Sequence, residues 1–175
     1  MSDKNPAKTL SGEKILLGVS GGIAAYKSVE LLRFLQKEGA EVKVVMTPNA
    51  TKFVTPLTFR AISGFPVVED IFSADTDSGI DHISITDWAE LFIIAPATAN
   101  IIGKLANGIG DDALSTMALA FNGPFLIAPA MNSKMYSNSI VGSNIEKLKS
   151  LNRSEERRVG KECYSPCRSR WSPYH

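Results

Sequence analysis

The segment "ILLGVSGGIAAYK", residues 15–27, decides the fold, because an apolar run leads through two glycines into a helix-like pattern. A short apolar run of this kind is typical of a strand buried on both faces of a parallel sheet. Gly21 and Gly22 permit a close approach of the backbone to a ligand, and the N–H groups that open a helix favour an anion. The segment therefore predicts a strand, a ligand-binding loop and a helix.

Three later segments have the same strand character, namely "EVKVVM" (41–46), "ELFIIAPA" (90–97) and "GPFLIAPA" (123–130). Helix-like segments separate them, and the first of these, from Gly22 to Lys37, is followed by the stop signal Gly39. Strands that alternate with helices predict a parallel sheet with right-handed crossovers. The expected fold class is α/β, a doubly wound parallel sheet in a Rossmann-like three-layer α/β/α arrangement.

Length and composition bound the class of protein. A chain of 175 residues, 44% hydrophobic and 21% charged, suits one globular domain. No apolar run reaches the length of a membrane span, and the polar N-terminus lacks a signal-peptide core, so we expect a cytoplasmic protein without a membrane partner. The net charge of +1 argues neither for nor against nucleic acid, and we expect no nucleic-acid partner.

The ends of the chain differ from the body. We expect residues 1–13 to be a disordered N-terminal segment, 14–151 the domain, and 152–175 a disordered, non-native tail. That C-terminal tail is rich in arginine and has no helical or strand period. Its cysteines, Cys163 and Cys167, have no partner set in the body that suits zinc, so we expect no metal site.

Small and polar residues follow all four predicted strands, in the loops "GVSGG" (18–22), "MTPNA" (46–50), "APATAN" (95–100) and "APAMN" (128–132). Ligands of open α/β sheets bind beyond the carboxyl ends of the strands. Hydroxyls of Ser20, Thr47 and Thr98 add possible hydrogen bonds to the backbone N–H groups there. Four such loops indicate a nucleotide-like cofactor, although each alone is compatible with an ordinary strand-to-helix turn.

Ser20 also fits the G-x-S-x-G pattern of a hydrolase nucleophile. A triad of that kind needs a histidine late in the chain, but the only histidines are His82, which comes early, and His175, the last residue of the tail. A Walker A loop is absent, and the G-x-G-x-x-G pattern is not met. In a nicotinamide-binding domain an acidic residue at the end of the second strand holds the ribose. Met46 and Thr47 stand there in this sequence, which argues against such a domain.

Two further segments carry candidate reactive groups. In "DHISITDW" polar and apolar residues alternate, which predicts an extended segment with His82, Ser84 and Thr86 on one face, at the rim of a site. His82 would move protons near neutral pH, unless it is an ordinary structural histidine. In "PAMNSKMY" the Asn132 amide offers a donor and an acceptor, while Met131 and Met135 would pack on one helix face.

Together the motifs "GVSGGIAAYK", "VVMTPNA", "DHISITDWAE", "APATANIIGKLANGIGDDALST" and "PAMNSKMY" resemble those of the homo-oligomeric flavin-containing cysteine decarboxylases, a flavoprotein family. Within that family they are most similar to the phosphopantothenoylcysteine decarboxylases of bacterial coenzyme A biosynthesis. They follow the family's order over most of the body. One position departs, because Tyr136 stands where the family motif has tryptophan.

The resemblance implies an FMN cofactor and a set of site residues. FMN would contact residues of the four loops and their flanks: Ser20, Gly21, Gly22, Ile23, Thr47, Phe53, Thr98, Ala99, Asn100, Ala130 and Met131. The first four of these would lie at the phosphate side of the cofactor. His82 matches the catalytic base, and Asn132 and Met135 match substrate-binding positions, with Asn132 at the substrate carboxylate.

The implied reaction is FMN-dependent decarboxylation of 4′-phosphopantothenoylcysteine to 4′-phosphopantetheine, by a homotrimer or a dodecamer of trimers. The family continues beyond Leu151 with a substrate-covering loop and a cysteine, whose context neither Cys163 nor Cys167 matches. We therefore expect FMN binding and enethiol formation, without efficient completion of turnover. The alternatives are another flavin-dependent cysteine decarboxylase or a non-catalytic flavin-binding regulatory protein.

Overall fold

A computed structural model describes residues 9–70 and 82–151 together with the backbone of Ser154–Glu155. Its six parallel strands form one sheet in the order β3-β2-β1-β4-β5-β6. The strands are β1 (Lys14–Val19), β2 (Glu41–Met46), β3 (Val67–Val68), β4 (Leu91–Ala97), β5 (Phe125–Pro129) and β6 (Ser154–Glu155). The parallel sheet predicted from the sequence is confirmed.

Seven helices lie in the described part of the chain and cover both faces of the sheet. They are α1 (Ala25–Lys37), α2 (Pro56–Ser63), α3 (His82–Trp88), α4 (Ala99–Ala106), α5 (Ala113–Ala120), α6 (Ser133–Tyr136) and α7 (Ser139–Ser150). One core cluster joins α1 and α2 to the first face, and a second joins α3, α4, α5 and α7 to the other. The result is the three-layer α/β/α fold that the sequence predicted.

Burial explains why these segments adopt these elements. Along β1, Ile15 and Leu17 point into one core cluster and Leu16 into the other, and all three are at most 1% exposed. A strand covered on both faces needs apolar residues at every position, which accounts for the continuous run. The α1 helix ends at Lys37 with Glu38 as its C-cap residue, and Gly39 follows with φ of 99°, the left-handed geometry that glycine adopts most easily.

The extended conformation predicted for 82–88 is wrong, because these residues form α3. In a helix, residues three or four apart share a face, so His82, Ser84 and Thr86 do not line up as they would in a strand. Ile85 and Ala89 are spaced by one turn and are both buried in the core. Thr86 is buried as well, and its hydroxyl donates to the Ile83 carbonyl oxygen at 2.8 Å, which satisfies the polar group away from water.

The two ends of the predicted domain are only partly described. Within the segment expected to be disordered, 9–13 form turns in which the Leu10 N–H donates to the Glu38 carbonyl oxygen at 3.0 Å. In the C-terminal tail, Ser154 pairs with Leu126 of β5. Cys163 and Cys167 lie outside the described residues. None of the helices described has both the length and the apolar character that crossing a membrane requires.

Candidate functional site

The carboxyl ends of four adjacent strands meet at one edge of the sheet, which we call the carboxyl edge. Val19 pairs with Met46, and Ala97 pairs with Pro129. The loops that follow β2, β1, β4 and β5 therefore stand side by side, as the sequence predicted. The chain winds outward from β1 in both directions, so the switch between the two halves lies between β1 and β4. Ligands of doubly wound sheets bind at that point.

Ser20 connects the β1 loop to the β4 loop. Its hydroxyl donates to the Pro96 carbonyl oxygen at 2.7 Å, and the Thr98 backbone N–H donates to the Ser20 hydroxyl oxygen at 3.0 Å. Only 1% of Ser20 is exposed. The hydroxyl therefore faces protein groups on the neighbouring strand.

The two glycines after Ser20 allow the loops to touch. A Cβ added to Gly21 would lie 2.5 Å from the Asn49 Cβ and 2.7 Å from the Asn49 backbone carbon. A Cβ added to Gly22 would lie 3.2 Å from the Thr98 Cγ2. Gly21 is thus needed for contact with the β2 loop, whereas Gly22 faces the β4 loop. The glycine-rich segment therefore packs closely between the loop after β2 and the loop after β4.

The first turn of α1 fits an anionic group. The first N–H groups of a helix have no partner within the helix. Ala24, the N-cap residue of α1, makes no side-chain capping hydrogen bond, whereas the Thr98 hydroxyl caps α4 by accepting from the Ile101 N–H at 3.5 Å. Ile23, beside this uncapped end, is 77% exposed. The Ala25 N–H donates to the Gly22 oxygen at 2.9 Å and the Lys27 N–H to the Ala24 oxygen at 3.0 Å, while no side chain caps this end. An exposed helix start without a side-chain cap suits an anionic group.

Thr47 and Phe53 flank the same edge after β2. Thr47 is buried, and its hydroxyl accepts from the Ala50 N–H at 3.2 Å. Phe53 is 51% exposed at the end of a short 3-10 helix, Ala50–Lys52. On the β4 side, Ala99 and Asn100 open α4, and Asn100 is exposed.

The loop after β5 completes the edge. The Ala130 N–H donates to the Ala97 carbonyl oxygen at 2.9 Å. Asn132 is exposed and caps α6, because its side-chain oxygen accepts from the Lys134 N–H at 2.9 Å. That bond fixes the amide and leaves its NH₂ group as the donor. Met131 packs against the core as expected, but Met135 is half exposed, so the pair does not pack together on one helix face.

His82 is placed by its backbone. It is the first residue of α3, a helix that packs against α5 and β1, while its imidazole lies outside the described atoms. The structure thus joins the residues expected to hold a cofactor, and it locates the histidine on the face of the sheet that carries α3.

Sequence reasoning missed Ser28. This residue of α1 is 2% exposed, and its hydroxyl donates to the Ala95 carbonyl oxygen at 2.6 Å. The available signal was its position, because Ser28 lies on the buried stripe of α1 that also contains Ala25, Leu32 and Leu35. A hydroxyl on such a stripe needs a hydrogen-bond partner across the interface.

A second missed feature is a lysine between two aspartates. The Lys104 Nζ lies 2.6 Å from Asp111 and 2.7 Å from Asp112, and Asp112 caps α5 together with Ser115. Burial alone lowers the pKa of Lys104, but the two carboxylates outweigh it and raise the pKa above 10.5. The hydrogen bond from Lys104 lowers the pKa of Asp111 below 3.8. The D-x-x-S spacing was the sequence signal for this cap.

Comparisons with known proteins agree with this architecture. The family model described as Flavoprotein matches residues 3–161. The coenzyme A biosynthesis bifunctional protein CoaBC of Bacillus subtilis is 53% identical over 139 residues, which are 79% of this chain and 34% of that protein. The chain spans about a third of the length of the curated relatives that it matches.

Solved structures give the same result. The FMN-dependent cysteine decarboxylase SpaF superposes with a TM-score of 0.78 at 32% identity, over 84% of this chain and 85% of that one. A PPC decarboxylase variant complexed with pantothenoylaminoethenethiol has a TM-score of 0.70 at 30% identity, over 83% and 81%. The family predicted from the motifs is confirmed: the chain belongs to the Flavoprotein family.

Proposed function

We propose that this chain binds FMN and decarboxylates 4′-phosphopantothenoylcysteine, as a carboxy-lyase of coenzyme A biosynthesis whose final product is 4′-phosphopantetheine. We also propose that it completes the last reduction inefficiently, since neither Cys163 nor Cys167 lies in the sequence context of the family cysteine. The observation that carries the proposal is the meeting of four motif-bearing loops at the switch point of a Flavoprotein-family sheet. The 53% identity to a CoaBC protein favours this substrate over other cysteinyl compounds. Because the chain covers a third of such relatives, the proposal concerns their decarboxylase activity alone.

The cofactor would lie along the carboxyl edge. The uncapped start of α1, with Gly21, Gly22 and Ile23, suits the phosphate, because backbone N–H groups there have no side-chain cap. The start of α4 would line the flavin through Thr98, Ala99 and Asn100. The remaining contacts would come from the flanking loops, through Thr47, Phe53, Ala130 and Met131.

The reaction needs a proton carrier and an anchor for the carboxylate. When bound, FMN would supply a two-electron acceptor for the cysteinyl thiol and, once reduced, would return those two electrons to the decarboxylated enethiol. The NH₂ group of Asn132 would donate to the substrate carboxylate, since its side-chain oxygen already accepts from the Lys134 backbone N–H. Met135, exposed on α6 three residues later, would contact the apolar part of the substrate. His82 would accept and pass on the proton that the reacting substrate releases, because imidazole side chains generally change protonation near neutral pH.

The assembly is also part of the proposal. Ile23, Phe53 and Met135 are large apolar side chains that are at least 50% exposed in one protomer, and all three follow strands at the carboxyl edge. Exposed apolar side chains grouped near a site favour a covering partner. We propose a homotrimer, or a dodecamer of trimers, which sedimentation analysis of the full chain would distinguish from a monomer.

The test begins with the visible absorption spectrum of the purified full chain, with and without added FMN. We expect a flavin band that remains after desalting, and a folded protein without any such band contradicts the cofactor assignment. Carbon dioxide release is then compared for 4′-phosphopantothenoylcysteine and for a peptide with a C-terminal cysteine. Faster release from the peptide would overturn the substrate assignment and favour a peptidyl-cysteine decarboxylase.

The role of His82 is tested by His82→Asn. This variant should retain flavin but release carbon dioxide about 100-fold more slowly or worse, as expected for loss of an acid–base group. Asn107→Ala provides a control for an exposed polar side chain outside the proposed site. Unchanged release by His82→Asn would remove this histidine from the mechanism.

A further inference from the structure

Two buried serines hold the end of β4. Pairing between β1 and β4 ends at Gly18 and Ile94, and the register between β4 and β5 shifts after Ile94. The next two carbonyl oxygens along β4 receive serine hydroxyls. Ser28 donates to the Ala95 oxygen at 2.6 Å, and Ser20 donates to the Pro96 oxygen at 2.7 Å. Both carbonyl groups thus accept from side chains just beyond the paired residues, and the Pro96 oxygen also accepts from the Ser20 backbone N–H at 3.3 Å.

The two serines differ in what else they contact. The Ser20 oxygen also accepts from the Thr98 N–H at 3.0 Å and lies 3.3 Å from the Thr98 hydroxyl. Thr98 in turn caps α4 through the Ile101 N–H. Among the described residues, the Ser28 hydroxyl is bonded to Ala95. Ser20 therefore fixes the start of α4, whereas Ser28 fixes the strand before it.

The hydrogen on the Ser20 hydroxyl is already in use. A hydroxyl carries one hydrogen and accepts through its lone pairs. The Pro96 carbonyl oxygen can only accept, so their 2.7 Å contact requires the Ser20 hydrogen. A phosphate oxygen also needs a donor, and Ser20 would have to release Pro96 to supply one. Since Ser20 is 1% exposed, it also offers little surface to a ligand.

We propose that Ser20 is a positioning residue for the flavin site, which holds the 95–98 loop and the start of α4 and makes no hydrogen bond to the cofactor phosphate. This inference rests on the proposed FMN site and changes the role that the family resemblance implied for Ser20. The phosphate is then left to the backbone N–H groups of the glycine-rich segment and α1.

Affinities for FMN and for riboflavin, which lacks the phosphate, distinguish positioning from direct binding. We expect Ser20→Ala to weaken both by about 10-fold, because two hydrogen bonds that order the loop are lost. The ratio of the two affinities should stay within about 2-fold of the wild-type ratio. Ser28→Ala is the matched control, since it also removes one buried serine hydroxyl, and it should change either affinity by less than about 3-fold.

Loss of affinity for FMN alone in Ser20→Ala would overturn the proposal, because it would show direct contact with the phosphate. Equal losses in Ser20→Ala and Ser28→Ala would also overturn it, since the effect would then be general loosening of β4. Unchanged affinities in Ser20→Ala would do the same.

Amide hydrogen exchange of the flavin-free full chain gives a second measurement, which remains valid if no flavin binds or if Ser20→Ala does not fold. In the wild-type chain the Thr98 amide should exchange about 10-fold more slowly than those of Ala99 and Asn100, the first residues of α4. Equal exchange rates for these three amides would overturn the proposal. A chain with a protected Thr98 amide but no affinity for flavin would instead contradict the proposed function.

Discussion

The two ends of the sheet are built by different physical means. At the amino end, Phe92, Phe121 and Phe125 form a cluster whose ring centroids lie 4.7 to 5.8 Å apart, and none is more than 5% exposed. At the carboxyl edge, glycines allow backbones to touch, and serine hydroxyls join Ser20 and Ser28 to the end of β4. One end is filled by large side chains, and the other is shaped by small ones.

The difference separates stability from function. Aromatic packing at the amino end buries much apolar area but leaves no polar group directed at a ligand. Small residues at the carboxyl edge bury little area, yet they set the positions of the loops and of the first turns of α1 and α4. Substitutions at the amino end should therefore change the free energy of unfolding, and those at the carboxyl edge should change flavin affinity.

The largest expected effect on stability belongs to Phe92→Ala. Phe92 is fully buried, and its removal leaves a cavity among the three rings, which should lower the free energy of unfolding by about 3–5 kcal/mol. Urea unfolding measures this loss, and flavin titration of the folded fraction should give an affinity within about 3-fold of wild type. Phe34→Ala, at a position that is 57% exposed, is the control. A flavin affinity that falls with the stability would remove the distinction between the two ends.

Gly21→Ala should have the next largest effect, at the carboxyl edge. The new methyl group would overlap the backbone of Asn49 and force the β1 and β2 loops apart, at a cost of about 1–3 kcal/mol. We expect flavin affinity to fall by about 10-fold or more, measured by fluorescence titration. Gly142→Ala is the control, because a Cβ there meets nothing within 4 Å. Equal affinities in the two variants would show that the contact with Asn49 does not shape the site.

The smallest effect is expected at Lys104, which joins the end of α4 to the start of α5. Lys104→Met removes the hydrogen bond to Asp112 and should cost about 1–2 kcal/mol of unfolding free energy near neutral pH. Lys149→Met is the control, since Lys149 pairs with Glu146 on the surface of α7 and should contribute less.

The pH dependence of that difference follows from the two shifted pKa values. The pKa of Asp111 is lowered below 3.8, so its contribution is present above that pH and is lost as the pH falls through its folded-state pKa. The pKa of Lys104 is raised above 10.5, so its contribution is present below that pH and is lost as the pH rises further. The stability difference between wild type and Lys104→Met should therefore stay constant across neutral pH. A steady change between these limits would contradict the assignment.

Features decided by local sequence were predictable. The four long strands are rich in apolar residues, with Glu41 and Lys43 of β2 among the exceptions, and small and polar residues follow each strand along the chain. Parallel strands place such loops at one edge, so their meeting follows from topology alone. The same reasoning found Gly21 and Gly22, although it assigned their freedom to a ligand, and the structure shows Asn49 against the first of them.

Features decided by tertiary contacts were not predictable from local patterns. The 82–88 segment alternates like a strand, but burial of Ile85 and Ala89 on one helical face determines its structure. The sequence alone predicts that Ser20 contacts the phosphate, because its hydrogen bonds to Pro96 and Thr98 are visible only in the structure. Those residues lie more than 70 positions away in the chain, so no local pattern could indicate them.

The close packing of Ser20, Gly21 and Gly22 between two other loops has a consequence for protein engineering. Each of these consecutive residues contacts a neighbouring loop, the first and third the loop after β4 and the second the loop after β2. A chimaera that takes only one of the loops after β1, β2 and β4 from a homologue would bring together loops whose contacting residues come from different proteins. Grafting all three loops together preserves the contacts between them, so the three loops should be exchanged as one unit when members of this family are recombined.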